Sequence, residues 1–480
     1  MVVGVVAAVV RLRLLTHPTP FYYGTYDDGV YFTEALRFVH GLLPYRDGVF
    51  LQPPGIVLST APFALLASVL GDAHAFVIAR GAYAMVGAVN AVLVAACLRR
   101  TGLVAALAGG LVYALAWQAV YVERSVGLEV LGTTGIVTSV LLLQRGARGR
   151  WLPLLAGAAA AISIDMKVWY VALFAVLAVF AWRRAPWFLL GGAITGLACY
   201  LPFFLAAPAA MWRQVVTAQL GRPHQHLTVG TRVRSMLGLD EAAAGRPWWQ
   251  LAGASGVLVL ALLLIVVVIL SLTMRDGRLF VALLVVSGLV LLLSPSYLQH
   301  YATLTAAPIA LVAGAGAGRV VILSRRRWTA LPVLALTAVV AAGAYLAPDL
   351  GLRAKGEGLP AKVLPIAALK SAAAAVHGCL VSDDPTVLLL MNRLSSDLDR
   401  GCDVQADPSG VGYVLTTPGK PQVRRQKNPL WQREIVRYLH STDAYLLVRG
   451  SALGLSPASH RLLDRDPVIA RVQRFTIRAG

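Results

Sequence analysis

The chain has 480 residues, of which 58% are hydrophobic and only 14% charged, and its 43 basic and 23 acidic side chains give a net charge of +20. Soluble domains are about half apolar and about a quarter charged, so this composition excludes an ordinary soluble enzyme and a disordered chain. Four cysteines exclude a disulfide-rich secreted scaffold. Basic loops next to a membrane account for the net positive charge, so no nucleic-acid partner is needed to explain it. We therefore expect a polytopic α-helical membrane protein with no nucleic-acid partner.

About eleven apolar stretches are candidates for membrane helices, which need about 20 mostly apolar residues. They cover residues 1–15, 80–98, 101–120, 127–143, 151–166, 168–182, 187–206, 251–273, 279–295, 302–320 and 329–347. The first stretch is short, and Arg11 and Arg13 interrupt it. A signal peptide is an alternative for it, although no small-residue cleavage site follows. A translation start assigned too late would also explain why this stretch is short.

Basic residues concentrate in every second loop between these stretches. They are Arg99, Arg100, Arg145, Arg148, Arg150, Arg183, Arg184, Arg275, Arg278, Arg325, Arg326 and Arg327. The positive-inside rule places these loops in the cytoplasm. The N-terminus then lies on the cytoplasmic side of the plasma membrane. The segments on the outer side are 16–79, 121–126, 207–250, 296–301 and the tail from 348.

The first outer loop and the tail contain predicted structure of their own. Residues 29–40 can form a helix that ends at Gly41, and Pro53-Pro54 opens a second helix, to about residue 70, that we expect on the membrane surface. The predicted domains are therefore a membrane module over residues 1–347 and a small α/β domain outside the membrane over residues 348–480.

In the tail, residues 378–381 and 444–448 favour strands, and residues 386–394 and 431–439 favour helices. Cys379 and Cys402 both fall there, and an oxidising compartment would permit a disulfide between them. The alternative is two unpaired small hydrophobic residues.

Acidic residues near the outer surface are few, and Asp27-Asp28 is the sharpest signal among them. Two adjacent carboxylates can supply one general base and one orienting or cation-binding group, because repulsion and partial burial raise one pKa. The alternative is ordinary capping, since Asp favours the first turn of a helix.

Two further charged residues lie at the predicted ends of membrane helices. Glu129 opens a span, and its ordinary explanation is a pair with Arg124. Lys167 lies on the outer side, against the charge trend, where it can bind a lipid-linked phosphate; its ordinary explanation is a turn held by Asp165.

Polar groups also occupy the third and fourth outer loops. Arg222 is followed by His224 and His226, which are too few by themselves for a metal site, so a polar loop is the simpler interpretation. His300 and Tyr301 form a turn whose tyrosine is also typical of the membrane interface. The sequence lacks the motifs of nucleotide-binding sites, so a transferase here would take a donor already in the membrane.

The first outer loop reads Tyr26-Asp27-Asp28-Gly29-Val30-Tyr31, then Gly41-Leu42-Leu43-Pro44-Tyr45-Arg46-Asp47, then Gln52-Pro53-Pro54-Gly55. This order resembles the GT-C membrane glycosyltransferases, above all the branch of the protein O-mannosyltransferases and the lipid A aminoarabinose transferases. The resemblance covers about residues 20–320. The tail, with Cys379 and Gly401-Cys402, resembles the tails of actinobacterial relatives.

The resemblance implies a glycosyltransferase that moves a sugar, such as mannose or arabinofuranose, from a polyprenyl-phosphate donor to a hydroxyl outside the cytoplasm. The acceptor is a glycan, a lipid or a protein. No motif requires a cofactor, and Mg²⁺ or Mn²⁺ stays open. A transporter or flippase for a lipid-linked sugar and a non-enzymatic assembly partner are the alternative functions.

Each candidate residue then has an expected role. The base is Asp28 or Asp27, with Asp28 slightly favoured. Groups that orient the acceptor or a cation are Glu129 and Asp47. Groups that bind the donor phosphate are Lys167, Arg222, His300 and Tyr301.

Overall fold

A computed structural model describes residues 1–16, 19–146, 149–225, 227–238, 253–324, 331–334, 337, 364–416 and 422–480. The chain is mostly helical, with one small sheet near its C-terminus. The predicted last span, 329–347, and the predicted domain boundary at 348 lie almost wholly outside the described residues.

Contacts divide the chain into two compact units. The first unit comprises Met1–Pro18, Arg80–Ala198 and His226–Pro360. The second comprises Thr19–Ala79, Cys199–Gln225 and Ala361–Gly480. The second unit therefore joins the predicted first outer loop to the tail.

The described helices up to residue 324 alternate with short connections. They are α1 (Val2–Thr16), α2 (Tyr26–Val39), α3 (Gly55–Ala64), α4 (Ala67–Leu70), α5 (Asp72–Leu98), α6 (Leu103–Leu115), α7 (Trp117–Glu123), α8 (Leu128–Gln144), α9 (Trp151–Met166), α10 (Val171–Phe180), α11 (Ala185–Ala206), α12 (Pro208–Trp212), α13 (Ala218–Leu220), α14 (Val229–Met236), α15 (Gly253–Leu272), α16 (Gly277–Leu293) and α17 (Thr303–Ser324). Short 3₁₀ turns cover Val168–Tyr170, Trp182–Arg184 and Gln299–Ala302, and a π-helical turn covers Arg213–Thr217.

Three described helical segments are long and apolar enough to cross a bilayer: Asp72–Leu98, Trp182–Ala206 and His300–Ser324. A fourth is added if α6 and α7, bent by 57° relative to each other, count as one span. Further apolar helices such as α8, α9 and α16 are shorter, at 10–17 residues. The helices fall where the apolar stretches were predicted, but the number of eleven spans stays a prediction.

Helices α6 and α17 pack closely in the first unit because glycines face each other. A Cβ on Gly109 would lie 2.8 Å from the Ala310 carbonyl oxygen, and one on Gly314 would lie 2.7 Å from the Ala105 carbonyl oxygen. Small residues let helix backbones approach closely where lipid offers no hydrophobic drive to associate. The glycines therefore fix the distance between these two helices.

A buried charged network links four helices of the first unit. Arg11 of α1 donates through Nε to Glu123 Oε2 at 2.7 Å, and neither side chain is exposed to solvent. Tyr113 Oη donates to Glu123 Oε1 at 2.6 Å, and Asn90 Nδ2 donates to the same oxygen at 3.3 Å. Arg11, which interrupts the first apolar stretch of the sequence, is thus a paired interior group.

Glu123→Gln should destabilise the protein by about 3–5 kcal/mol, because it leaves the Arg11 guanidinium buried without its counter-charge. The thermal unfolding midpoint in detergent measures the change. Glu434→Gln is the matched control, since its pair with Arg437 lies at the surface and surface pairs contribute little. Equal shifts in the two variants would contradict the importance of the buried pair.

In the second unit, α2 begins at Tyr26, three residues before its predicted start. Thr25 is the N-cap, and its hydroxyl accepts a hydrogen bond from the Asp28 backbone N–H at 3.4 Å. The helix ends before Gly41, as predicted, and the φ of +86° at Gly41 lies in the left-handed region that glycine tolerates best. The predicted second helix is two helices, α3 and α4.

The tail elements form a small α/β arrangement. They are α18 (Ile366–Ala373), β1 (Leu380–Ser382), α19 (Pro385–Leu390), α20 (Leu394–Asp399), α21 (Val411–Val414), α22 (Pro429–Leu439), β2 (Ala444–Leu447), α23 (Pro457–Leu463), β3 (Val468–Val472) and β4 (Phe475–Ala479). The sheet order is β1-β2-β4-β3, with β1 parallel to β2 and the other neighbours antiparallel. The two predicted strands correspond to β1 and β2, whereas β3 and β4 were not predicted.

The helix predicted over 386–394 is instead α19 followed by α20. Asn392, between them, has a φ of +56°, which a helix does not accommodate. Cys379 and Cys402 are joined by a disulfide, with their Cα atoms 5.7 Å apart. This bond ties the start of β1 to the segment after α20.

Several contacts hold the first outer loop to the tail within the second unit. The Ala73 backbone N–H donates to Asn392 Oδ1 at 2.8 Å, and the Ser395 backbone N–H donates to Asp72 Oδ2 at 3.0 Å. A Cβ on Gly29 would lie 2.0 Å from Thr386 Oγ1, so a larger residue there would push α2 away from α19. The tail thus supports the helix that carries Asp27 and Asp28.

Candidate active site

A cluster of charged and aromatic side chains lies in the first unit, and we call it the lysine cluster. It consists of Glu129, Lys167, Trp169, His300 and Tyr301. Glu129 lies in the first turn of α8, where the helix dipole favours an acid. Lys167 follows the end of α9 in extended backbone. His300 and Tyr301 lie in the 3₁₀ turn that precedes α17.

Lys167 and Glu129 form a buried ion pair at the centre of the lysine cluster. Lys167 Nζ donates to Glu129 Oε1 at 2.6 Å, and the two side chains are 9% and 3% exposed. Arg124, the partner suggested by the ordinary explanation of Glu129, lies instead over the ring of Tyr121, at 4.7 Å from its centroid. The ion pair of Lys167 is likewise with Glu129 and not with Asp165.

Aromatic rings surround the ammonium group of Lys167. Its Nζ lies 3.8 Å from the ring centroid of Tyr301 and 4.7 Å from that of Trp169. The His300 ring meets the Tyr301 ring edge-on, with centroids 4.6 Å apart. Aromatic faces stabilise a cation, so the two rings and Glu129 together hold the Lys167 ammonium group in a fixed position.

Asp27 and Asp28 lie in the first turn of α2 in the second unit. The Asp28 side chain has no exposed surface, whereas Asp27 is partly exposed. Thr25 is the N-cap, and both aspartates lie in the first turn, so the alternative explanation by helix-start preference fits both residues. A base that takes a proton from a substrate must be reachable, and of the two carboxylates Asp27 meets that condition.

Tail residues gather beside the start of α2 and form an acidic cluster, which we define as Asp27, Asp384 and Asp407 with Tyr23 and Tyr26. Tyr23 Oη donates to Asp384, and Tyr26 Oη donates to Asp407 Oδ1 at 3.0 Å. Asp27 interacts electrostatically with Asp407. These contacts join three carboxylates from distant parts of the sequence in one region of the second unit.

Burial governs the protonation of the acidic cluster. It raises the pKa of Asp384 to about 6, although hydrogen bonds from Tyr23 and Thr386 and the charge of Arg449 oppose the rise. Burial also raises the pKa of Asp407, and the negative charge of Asp27 adds to that effect. The guanidinium of Arg449 lies 4.4 Å from the centroid of the Tyr26 ring and supplies positive charge nearby. Asp384 therefore keeps its proton to a higher pH than an exposed aspartate does.

Two other predicted residues have partners within the second unit. Asp47 accepts hydrogen bonds from Arg46 Nε at 2.9 Å and from the Leu43 backbone N–H at 2.7 Å, and the Arg46 bond lowers the pKa of Asp47. Arg222 lies over the ring of Tyr413, at 4.7 Å from its centroid. Asp47 is thus held within its own turn, Arg222 lies against the tail, and their predicted roles stay predictions.

Sequence reasoning missed Asp384, Asp407 and Arg449. The Asp384-Pro385 step carried a usable signal, because Asp before Pro is a common start of a helix. Asp384 does cap α19, accepting a hydrogen bond from the Thr386 backbone N–H at 3.0 Å. No local pattern marked Asp407 or Arg449, since their partners lie near residue 26.

Among the described residues, no group of three or more His, Cys, Asp or Glu side chains is arranged to hold a metal ion.

Glu34 of α2 gives the second unit a measurable pH dependence. Burial raises its pKa to about 7, although the Arg37 guanidinium, 3.3 Å from Glu34 Oε2, opposes the rise. Between about pH 4.5 and pH 7 the folded protein holds a proton that the unfolded chain releases, so stability falls as the pH rises through this window. Asp384 acts in the same direction at slightly lower pH.

Glu34→Gln should therefore reduce the fall in the thermal unfolding midpoint between about pH 5 and about pH 8, because the variant has no proton to lose there. The remaining fall should come from Asp384 and similar groups. Glu434→Gln, at the surface, should leave the wild-type slope unchanged. An unchanged slope in Glu34→Gln would refute the assignment.

The fold resembles that of two solved membrane enzymes. ArnT from Cupriavidus metallidurans, an aminoarabinose transferase crystallised with undecaprenyl phosphate, matches with a TM-score of 0.62 and 16% identity over 100% of this chain and 97% of ArnT. The oligosaccharyltransferase AglB from Archaeoglobus fulgidus, in complex with an inhibitory peptide and a dolichol-phosphate, matches with a TM-score of 0.53 and 13% identity. That match covers 93% of this chain and 69% of AglB.

The chain has the GT-C fold. A further structure of the Archaeoglobus fulgidus enzyme, with zinc and sulfate, matches at a TM-score of 0.56 and 11% identity over 93% of this chain and 67% of the other. No protein-family model and no curated protein sequence matches the chain. The resemblance to the GT-C enzymes that the first outer loop predicted is thus confirmed by the fold.

Proposed function

We propose that this GT-C protein is a membrane glycosyltransferase that takes its sugar from a polyprenyl-phosphate donor. The observation that carries the proposal is the match over nearly the whole length of both chains to ArnT, in a structure that holds undecaprenyl phosphate. The lysine cluster and the acidic cluster supply the two kinds of group that this chemistry needs. The sugar, mannose or arabinofuranose, and the acceptor class stay open within the proposal.

Asp27 is the proposed general base. Its carboxylate takes the proton of the acceptor hydroxyl while the hydroxyl oxygen forms a bond to the anomeric carbon. The bond between that carbon and the donor phosphate oxygen breaks in the same step, so the anomeric configuration inverts. We choose Asp27 over Asp28 because Asp28 is fully buried.

The lysine cluster is the proposed site for the phosphate. Polyprenyl phosphate gains negative charge as it departs, and the Lys167 ammonium can neutralise it within aromatic walls that exclude water. Glu129 holds Lys167 in place through their ion pair, and His300 and Tyr301 complete the site. We keep Arg222 of the second unit as a separate candidate for binding phosphate, and Asp47 as a proposed group that orients the acceptor or a cation.

The proposed topology follows the charge pattern. The basic loops face the cytoplasm, and the sugar-transfer reaction takes place outside it, with the tail on the same outer side. The Cys379–Cys402 disulfide fits an oxidising compartment. A labelling reagent that cannot cross the membrane should modify a cysteine introduced at exposed Ser451 in whole cells and should not modify one introduced at Arg99.

The purified protein in lipid nanodiscs tests the activity directly. It is incubated with a panel of polyprenyl-phosphate sugars, with water or a simple glycoside as acceptor, and release of polyprenyl phosphate is followed by mass spectrometry. Release from one donor, absent with the others, supports the transferase and identifies the sugar. Tight donor binding without release from any donor would favour a transporter or flippase for the lipid-linked sugar, and neither binding nor release would refute both functions.

A further inference from the structure

A cavity of about 340 Å³ lies in the first unit, away from the lysine cluster residues. It is formed where α8, α9 and α10 end or begin, together with the connection between α15 and α16. Small-molecule sites usually enclose roughly 300–1,000 Å³, so the cavity is large enough for a small ligand or a lipid headgroup. These connections belong to the loops that the charge pattern predicts to face the cytoplasm.

The lining of this cavity is basic. Arg183, Arg184 and Arg275 line it, and no acidic residue does. Within the described part of the chain, neither Arg183 nor Arg275 forms an ion pair with a carboxylate. The nearest acid in sequence, Asp276, accepts a hydrogen bond from Gln144 Nε2 at 2.8 Å. Arg183 and Arg275 therefore offer positive charge to an anion in the cavity.

Apolar side chains form an apolar wall of the cavity. Leu142, Leu152, Pro153 and Phe180 line it. At its edge Trp182 is 68% exposed, and the Arg183 guanidinium lies 5.2 Å from the centroid of its ring. An indole at the headgroup level of a bilayer keeps its ring in apolar surroundings and its polar edge in water. The lining of the site thus combines apolar and basic residues at the expected depth of the lipid headgroups.

We propose that this cavity binds an anionic phospholipid of the cytoplasmic leaflet. The phosphate lies against the three arginines, which match phosphate oxygens with several donors each, and the beginning of an acyl chain covers the apolar wall. A zwitterionic lipid carries a compensating ammonium and would gain less from this charge. A soluble phosphate would leave the apolar wall exposed. Basic pockets between membrane helices on the cytoplasmic side are suited to anionic headgroups.

Native mass spectrometry of the full-length protein tests the proposal. Protein released from detergent is incubated with equal amounts of phosphatidylglycerol and phosphatidylcholine, and retained lipid is counted. Wild type should retain phosphatidylglycerol at least about tenfold better than phosphatidylcholine. Arg183→Gln/Arg275→Gln should lose about tenfold in phosphatidylglycerol retention and keep its phosphatidylcholine retention, since only the charged contact is removed.

Arg99→Gln/Arg100→Gln is the matched control, because it removes the same charge from the same predicted side outside the cavity. It should behave as wild type. Equal losses in the two double variants would show a diffuse electrostatic effect and overturn the site. Absence of a phosphatidylglycerol preference in wild type would overturn it too, as would equal retention of glycerophosphoglycerol, which has the headgroup without acyl chains. If the thermal unfolding midpoint of each variant equals that of wild type, misfolding is excluded as the cause of a lipid loss.

Discussion

Asp27→Asn should lower sugar transfer by about 10²–10⁴-fold while the protein still binds its donor, because general-base catalysis typically contributes that factor. Asn keeps the size of Asp and cannot accept the proton. The rate of polyprenyl phosphate release, under saturating donor, measures the catalytic loss. Donor affinity, measured separately by native mass spectrometry, should change little.

Asp28→Asn is the matched comparison, since the two residues are adjacent and the change is the same. The Asp28 side chain is fully buried at the start of α2, so its variant should lower the unfolding midpoint and affect transfer only through the loss of folded protein. Transfer retained in Asp27→Asn and abolished in a fully folded Asp28→Asn would reverse the assignment of the base.

Lys167→Gln should reduce polyprenyl phosphate release by about 10²–10³-fold, the cost typical of removing one preorganised donor from a developing charge. The same change should weaken binding of free polyprenyl phosphate. It also leaves the Glu129 carboxylate buried without its partner, which is strongly destabilising in such pairs. In the single variant, a loss of activity through misfolding therefore cannot be separated from a loss of the phosphate contact.

The double variant Glu129→Gln/Lys167→Gln separates the two effects. It removes both charges of the buried pair, so the unfolding midpoint should recover most of the loss of the single variant. Release of polyprenyl phosphate should stay low, because the positive charge is still absent. Lys370→Gln, on an exposed face of α18, is the control for a general loss of a lysine. Full activity in the double variant would exclude Lys167 from phosphate binding.

The tail contributes to the acidic cluster as well as to the packing of the second unit. Asp384 and Asp407 receive hydrogen bonds from Tyr23 and Tyr26, which precede Asp27 in the first outer loop. The position of α2 depends on its contact with α19, at Gly29. The residues that surround the proposed base therefore come from both ends of the chain.

Local patterns in the sequence were sufficient for most of the helices. Helix α9 has the bounds predicted for it, residues 151–166, and α2 ends before Gly41 as expected. Such features depend on residues close in sequence: the length of an apolar run, a glycine with a left-handed backbone, a proline at the first turn. The strands β3 and β4 were missed because no residue of β3 is buried and only β4 of this short, arginine-rich hairpin has buried residues, which weakens the apolar pattern.

The sequence by itself determined that the chain is an apolar, helical protein whose predicted first outer loop resembles that of GT-C enzymes. It also marked Asp27, Asp28, Glu129 and Lys167 as candidate functional residues. Only the tertiary structure decided which partners these groups have. Glu129 and Lys167 are 38 residues apart, and Arg11 and Glu123 are 112 residues apart. Burial makes such pairings obligatory, because a charge without a partner is costly in the interior. The choice of partner, however, depends on how whole helices pack, and no local pattern of residues encodes that.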